Sequence, residues 1–262
     1  MELRAVVTGA SSGIGAATVR ALREAGWSVV AVARREERLR ELAQECGASY
    51  IVADLTNQGD VDALREQLEA AGPVHCVVNN AGGAKGLDSV ETSLIEDWQW
   101  MFEVNVLALK RVTSALLPLL RRGALERGVA DIVNITSIAG LSTYPGAGGY
   151  CAAKFAAHAV TEVLRLELHG EPIRVIEVAP GMVKTEEFSL VRFGGDQSRA
   201  DAVYDNILNP LTAADVGSIV VDAVGKPPHV DLDLIVVKPV AQASVQRLHR
   251  GPLAVREVVA RQ

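Results

Sequence analysis

The stretch Leu3–Ala25, LRAVVTGASSGIGAATVRALREA, holds the decision about the fold. It opens on an apolar run from Leu3 to Thr8 and breaks at Gly9. It then passes through Ala10-Ser11-Ser12-Gly13-Ile14-Gly15 and continues with Ile14, Ala17, Leu22 and Ala25 near one helical face. Strand, glycine turn and helix in that order is the context a phosphate-binding turn requires. Gly9 permits the tight turn, Gly13 lets the backbone approach a pyrophosphate, and Gly15 lets the helix pack on the strand. Three glycines alone would be only turn residues. The strand before them and the helix after them carry the functional reading.

Outward from this unit the alternation repeats. Ser28–Ala33 is a second apolar run, which closes a β-α-β unit. Glu36–Cys46 reads as a helix, Ser49–Asp54 as a strand, Gln58–Ala70 as a helix and Val74–Val78 as a strand. A long helical stretch, Asp97–Arg121, precedes a buried strand at Ile132–Thr136, and a small-residue helix begins near Tyr150. Arg174–Ala179 is the next strand, Thr212–Val224 a helix, and Leu232–Lys238 the last strand. The predicted fold is α/β: a single-domain, Rossmann-type doubly wound parallel sheet of about seven strands flanked by helices. The polar segment after Pro180-Gly181, as far as Asn209, reads as a loop with short helices over the site. Residues 1–240 form the domain, and 241–262 a tail of uncertain order.

The totals fit one sizeable domain: 262 residues, 49% of them hydrophobic. A net charge of −6 argues against nucleic acid or an acidic membrane as the main partner. No apolar stretch reaches the roughly 20 residues of a membrane span. The opening residues run straight into a strand, without the charged and apolar regions of a secretory leader. Cys46, Cys76 and Cys151 lack CxxC spacing, so neither a disulfide framework nor a metal site is expected. A cytoplasmic, reduced protein with a small-molecule substrate is the plain expectation.

Chemistry is concentrated in Asp131–Lys154, DIVNITSIAGLSTYPGAGGYCAAK. Tyr150 and Lys154 stand four apart on one helical face. An ammonium beside a phenol favours the phenolate, so Lys154 is expected to pull the Tyr150 pKa down towards working pH. Ser137, at the end of the adjacent strand, can hydrogen-bond the oxygen being protonated. The three make a general acid/base for carbonyl–alcohol interconversion. By itself such a pair is by default surface decoration, and its company at the glycine turn is what raises it.

Where an NAD-binding fold places an acidic ribose ligand, at the end of the second apolar run, this chain has Arg34-Arg35. Two guanidiniums suit a 2′-phosphate better than a hydroxyl, which points to NADP, with NAD the alternative. The bland reading is the charged start of a solvated helix. Asp54 can bond an adenine amine or cap the following helix. Asn79-Asn80 can lock neighbouring strand ends, with room for a cofactor beside Ala81-Gly82. His75, inside an apolar run, reads as a satisfied core histidine. Trp98, Trp100, Met101, Phe102, Val104 and Val106 read as core or subunit interface. Asn105 among them satisfies a helix carbonyl or holds a water for proton relay.

Taken together, Thr8–Gly15, Asp54, Asn79-Asn80-Ala81-Gly82, Asn105, Ser137, Tyr150 with Lys154, and Pro180-Gly181 with Thr185 resemble the short-chain dehydrogenase/reductase family, in its single-domain NAD(P)-dependent branch. The resemblance runs from Leu3 to about Lys238. It implies that Tyr150 is the acid/base, that Lys154 tunes it and holds the nicotinamide ribose, that Ser137 polarises the substrate oxygen and that Asn105 completes the relay. It implies a cofactor set of Gly9, Ser11, Ser12, Gly13, Ile14, Gly15, Arg34, Arg35, Asp54, Leu55, Asn80, Ala81, Gly82, Tyr150, Lys154, Pro180, Gly181, Val183 and Thr185. It also implies a homo-oligomer, tetramer or dimer, with Trp98–Leu117 and Ala152–Leu168 as the candidate faces.

Further pieces, Glu187–Phe193, Gly195-Asp196, Leu211-Thr212, Asp215-Val216, Pro228-His229-Val230 and Pro239, are similar to the NADP-dependent 3-hydroxy acid and serine/allo-threonine dehydrogenases. The segment Leu141–Gly149 departs from that pattern. The expected substrate is a small 3-hydroxy acid or hydroxy amino acid, its carboxylate bound by Arg192, with Lys85 a second anchor. Arg192 paired with Glu186, Glu187 or Asp196 is the structural alternative. Two rival functions are a reductase of larger ketones or acyl-carrier substrates and a non-enzymatic NADP-binding sensor. The retained Tyr150 and Lys154 speak against the sensor.

Overall fold

The computed structural model describes residues 2–255. The chain alternates as read: β1 (Arg4–Thr8), α1 (Gly13–Glu24), β2 (Ser28–Ala33), α2 (Glu36–Cys46), β3 (Ser49–Val52), α3 (Gln58–Ala71) and β4 (Cys76–Asn79). It continues with α4 (Ile95–Phe102), α5 (Ala108–Arg127), β5 (Ala130–Ile135), α6 (Gly148–Glu167), β6 (Ile173–Pro180), β7 (Val183–Lys184), α7 (Phe188–Arg192), α8 (Gln197–Ala202), β8 (Leu211–Thr212), α9 (Ala213–Val224) and β9 (Leu234–Val237). Seven strands form one parallel sheet in the order β3-β2-β1-β4-β5-β6-β9, while β7 and β8 pair separately. The single-domain, doubly wound Rossmann-type sheet expected from the alternation is the architecture observed.

The central strands are buried on both faces, which is why they read as unbroken apolar runs and not as alternating ones. Val7, Leu22, Leu39 and Val220 build the core on one side of the sheet, under α1, α2 and α9. Leu64, Leu68, Leu116 and Leu120 build it on the other, under α3 and α5. Strand order reverses between β1 and β4. In an open α/β sheet that reversal opens a crevice outside the strands' carboxyl ends. Local chemistry sets the helix ends that border it. The Asn57 side chain accepts from the first-turn N–H groups of Gly59 and Asp60, and Thr212 with Asp215 forms a reciprocal capping box on α9.

One helix differs from its reading. The stretch expected as a single helix over Asp97–Arg121 is α4, a π-helical turn at Glu103–Leu107, and α5 running on to Arg127. The π turn carries buried Asn105 and inserts one extra residue per turn there, a departure that often marks functional sites. His75 is a core histidine, its Nδ1 accepting the Arg4 N–H at 3.0 Å. No helix among the described residues is long and apolar enough to cross a membrane. Of the segment read as a tail, 256–262 lies outside the described residues. The part before it folds back, with Gln242 accepting from the Met182 N–H at 2.8 Å and Gln246 donating to the Thr143 carbonyl.

Candidate active site

A cavity of about 420 Å³ occupies the crevice. Gly9, Ser12, Gly13 and Ile14 line one end, Asn80, Ala81 and Gly82 its floor, and Ser137, Tyr150, Lys154, Pro180, Gly181, Val183, Thr185 and Arg192 the rest. The glycine turn is built as its spacing implies. Gly9 has φ +63°, and a Cβ there would sit 2.8 Å from the Ala81 Cα. At Gly15 a Cβ would lie 2.3 Å from the Gly9 carbonyl oxygen, so α1 can pack on the turn only without one. No side chain caps α1, which leaves its first N–H groups facing the cavity mouth. The two Asn lock strand ends: Asn79 Nδ2 donates to Asn134 Oδ1 and Thr113 Oγ1, and Asn80 Nδ2 to the Thr8 carbonyl at 3.0 Å.

Ser11, Gly15, Arg34, Arg35, Asp54 and Leu55 do not line the cavity. Gly15 lies under the turn and Leu55 is buried. Ser11 and the two Arg gather at an exposed corner beside the turn. Arg35 donates through Nε and Nη2 to Ser11 Oγ at 3.2 and 2.9 Å. Arg34 reaches 4.0 Å from Asp54. Asp54 Oδ1 accepts from the Thr56 N–H and hydroxyl and so shapes the turn before α3, but it does not cap that helix, whose N-cap is Asn57.

At the other end, β5 delivers Ser137 and α6 delivers Tyr150 and Lys154. All three side chains line the cavity. Lys154 Nζ bonds the Ile135 carbonyl at 3.2 Å and stands 5.9 Å from the Tyr150 ring centroid. The expected pKa argument is reversed here. Burial pushes the Tyr150 phenol well above its ordinary value, and the Ser137 hydroxyl and Arg192 guanidinium only moderate that. Burial likewise drops the Lys154 ammonium to about 8, against a smaller upward pull from Glu177. Desolvation of both groups outweighs their mutual effect, so Tyr150 is a held proton at neutral pH.

Asn105 does not line the cavity. Its Nδ2 donates to the carbonyls of Gly83 and Met101, at 2.9 and 2.7 Å, and its Oδ1 accepts the Gly83 N–H. A Cβ on Gly82 would meet Asn105 Oδ1 at 2.5 Å and Lys154 Nζ at 3.6 Å, so Asn105 braces the loop against which Lys154 lies. Sequence reasoning passed over Glu177 and His158. Glu177 is fully buried, accepting from Thr136 Oγ1 at 2.6 Å and pairing with His158 Nδ1 at 2.7 Å. His158 follows Lys154 by one helical turn, which was the available signal. A carboxylate in an apolar strand was the other.

The substrate side is roofed by α7. Arg192 donates to the Gly86 carbonyl and to Tyr144 Oη, both at 2.9 Å, and lies 5.7 Å from the Tyr144 and Tyr150 ring centroids. Its Nη2 is buried without a hydrogen-bond partner. Of the alternative partners, Glu187 binds Arg35 and Asp196 caps α8, and Glu186 makes no ion pair with Arg192. Lys85, the second anchor, is placed outside the cavity. It pairs with Asp97 at 3.1 Å over the Trp100 ring, because the loop after Gly83 carries its side chain towards α4.

A parallel sheet with a glycine turn at its switch point and a Ser-Tyr-Lys group beside it defines the class of single-domain dehydrogenases. A profile of short chain dehydrogenases matches residues 4–192, and the chain belongs to that family. It is 51% identical over 249 residues to an uncharacterized oxidoreductase of Mycobacterium tuberculosis, covering 95% of this chain and 96% of that one. It is 40% identical to sulfoacetaldehyde reductase 2 of Chromohalobacter salexigens, over 91% of this chain and 94% of the relative. Among solved structures, the closed form of serine dehydrogenase complexed with NADP+ superposes with a TM-score of 0.84. The two are 34% identical, with 97% of this chain and 100% of that one covered.

Proposed function

We propose that this short chain dehydrogenase uses NADP to interconvert a small 3-hydroxy acid, or a hydroxy amino acid, and its 3-oxo counterpart. The observation that carries the substrate reading is the buried Nη2 of Arg192 beside Tyr150. A guanidinium nitrogen shielded from water and left unbonded is costly unless an anion completes it. A carboxylate also matches the guanidinium fork. Serine carries such a carboxylate, one carbon away from its carbinol carbon. Sulfoacetaldehyde has a sulfonate at the same remove from its carbonyl. The shared chemistry is an anion next to the carbon flanking the reacting centre.

The residues present fit a dinucleotide. The open N-terminus of α1 offers N–H groups for a pyrophosphate, Gly13 with φ +52° keeps that approach free of a side chain, and Arg34, Arg35 and Ser11 form a corner for a 2′-phosphate. A bound nicotinamide would supply the hydride acceptor or donor for the carbinol carbon. In the reducing direction Tyr150 gives its hydroxyl proton to the carbonyl oxygen, and in the oxidising direction it takes the proton back. Ser137 orients that oxygen. Lys154 would hold the ribose and supplies positive charge near the phenol, and Asn105 and Glu177 keep Lys154 in place.

An NADP(H)-coupled absorbance screen over 3-hydroxy acids, serine, allo-threonine, hydroxyalkyl sulfonates and neutral alcohols tests the reading. Anionic compounds should lead it, and activity confined to neutral alcohols would overturn it. Arg192→Leu should raise KM for the acids by roughly tenfold or more, because a charged hydrogen bond is worth over about 1.4 kcal/mol. Neutral analogues should be little affected. Equal losses would make Arg192 structural.

We also propose a homo-oligomer, dimer or tetramer, because apolar side chains stay exposed on α4 to α6. Phe102, Leu107, Phe155, Val163 and Leu166 are among them. Light scattering should give a mass above that of one chain at micromolar concentration, and a strictly monomeric mass would exclude it.

A further inference from the structure

The corner assigned to the 2′-phosphate already holds an anion supplied by the chain itself. Glu187 lies between Thr185 and α7, on the segment that roofs the cavity. Its carboxylate accepts from Arg35 Nη1 and Nη2, both at 2.7 Å, and from Ser12 Oγ at 2.8 Å. Arg35 in turn is steadied by Ser11 and donates to Ser12 Oγ at 3.0 Å. One guanidinium fork and the two hydroxyls of the glycine turn thus form a seat of bidentate geometry, suited equally to carboxylate and phosphate oxygens. The Arg35 hydrogen bond holds the Glu187 carboxyl below the usual carboxylate range, so it is ionised at neutral pH.

We propose that Glu187 sets the dinucleotide preference by competing, as an internal carboxylate, with the 2′-phosphate for Arg35, Ser11 and Ser12. The inference rests on the reading of this corner as the cofactor's phosphate site. Two anions cannot share one guanidinium without repulsion, and a 2′-phosphate carries more charge than the carboxylate it displaces. NADP therefore binds by exchange, at a net gain smaller than the new contacts alone would give. A 2′-hydroxyl exerts no such repulsion, and the seated carboxylate can accept its hydrogen bond. Glu187 supplies from a distant part of the chain the acidic group that β2 lacks at its end. The residue after it opens α7, the helix that ends at Arg192, so displacing Glu187 also loosens the start of the element that carries the substrate anchor.

The test compares 2′,5′-ADP with 5′-AMP, which lacks only the 2′-phosphate, by calorimetric titration of the full chain and of Glu187→Gln. The substitution keeps shape and removes charge at a partly exposed position, so folding should be unaffected. Wild type should favour 2′,5′-ADP. Glu187→Gln should tighten 2′,5′-ADP about tenfold and leave 5′-AMP within about twofold. Amide hydrogen exchange over residues 185–189 should rise when wild type takes up 2′,5′-ADP, and should already be raised in the variant without ligand. If Glu187→Gln leaves 2′,5′-ADP unchanged, or weakens it, Glu187 is no competitor and the proposal fails while the phosphate corner stands. If neither protein prefers 2′,5′-ADP over 5′-AMP, the corner is not a phosphate site and both readings fail together.

Discussion

Tyr150→Phe should leave a folded protein that still binds dinucleotide and turns over about 10²–10⁴-fold more slowly. The ring is what the fold uses: Tyr150 packs edge-on against Phe188, at 5.8 Å between centroids, and lies in the cluster with Met101 and Val106. Phenylalanine keeps those contacts. Only the hydroxyl is lost, and burial raises its pKa and keeps it protonated at neutral pH. The protonated phenol carries the proton that the carbonyl oxygen must receive, and because the reaction equilibrium is unchanged the loss in kcat/KM should be the same in both directions. Turnover within a few-fold of wild type, with an unchanged thermal midpoint, would remove Tyr150 from the chemistry.

Lys154→Met should also stop turnover, but with a different signature. The lowered Lys154 pKa of about 8 means that folding disfavours the ammonium. The unfolded chain then binds more protons between about pH 8 and the ordinary lysine value of about 10.4, and the wild-type contribution rises with pH through that window. Below it, the Met variant should melt at a higher temperature than wild type. The gap should close as pH climbs.

Parts of the site that depend on local backbone were legible in the chain. Gly9, Gly13 and Gly15 announce a turn because only glycine satisfies those dihedrals and approaches, and Asn79-Asn80 follows a strand end where donors are needed. Long-range partnerships were not legible. Glu187 meets Arg35 across 152 positions, and Glu177 meets Thr136 across 41. Neither pair leaves a spacing to read. Lys85 looked like an anchor because its loop follows the cofactor floor, but side-chain direction past Gly83 is decided by packing on Trp100. The Tyr150 pKa was misjudged for a related reason. An i,i+4 spacing reports that charges are near one another, and says nothing of how much water folding strips from them. The π turn at Asn105 was hidden because the apolar pattern continues through it.

Replacing Arg34 and Arg35 together by Ala should weaken NADP binding by about a hundredfold and NAD binding by less than about threefold. A hydrogen bond to a charged group is worth about 1.5–3 kcal/mol, and the lower value applies to half-exposed side chains such as these. That is roughly tenfold for each guanidinium. The two are not equivalent. Arg34 is the more exposed, and its acidic neighbour is Asp54 at 4.0 Å. Arg35 is held by Ser11 and currently neutralises Glu187. Arg35→Ala alone therefore removes a phosphate contact and also leaves the Glu187 carboxylate unneutralised beside the site. It should cost NADP more than Arg34→Ala does, and adding Glu187→Gln should recover part of that loss. Fluorescence titration with both dinucleotides, run at one ionic strength, separates these terms. Equal losses for NADP and NAD would mean that the two Arg support the turn and recognise no phosphate.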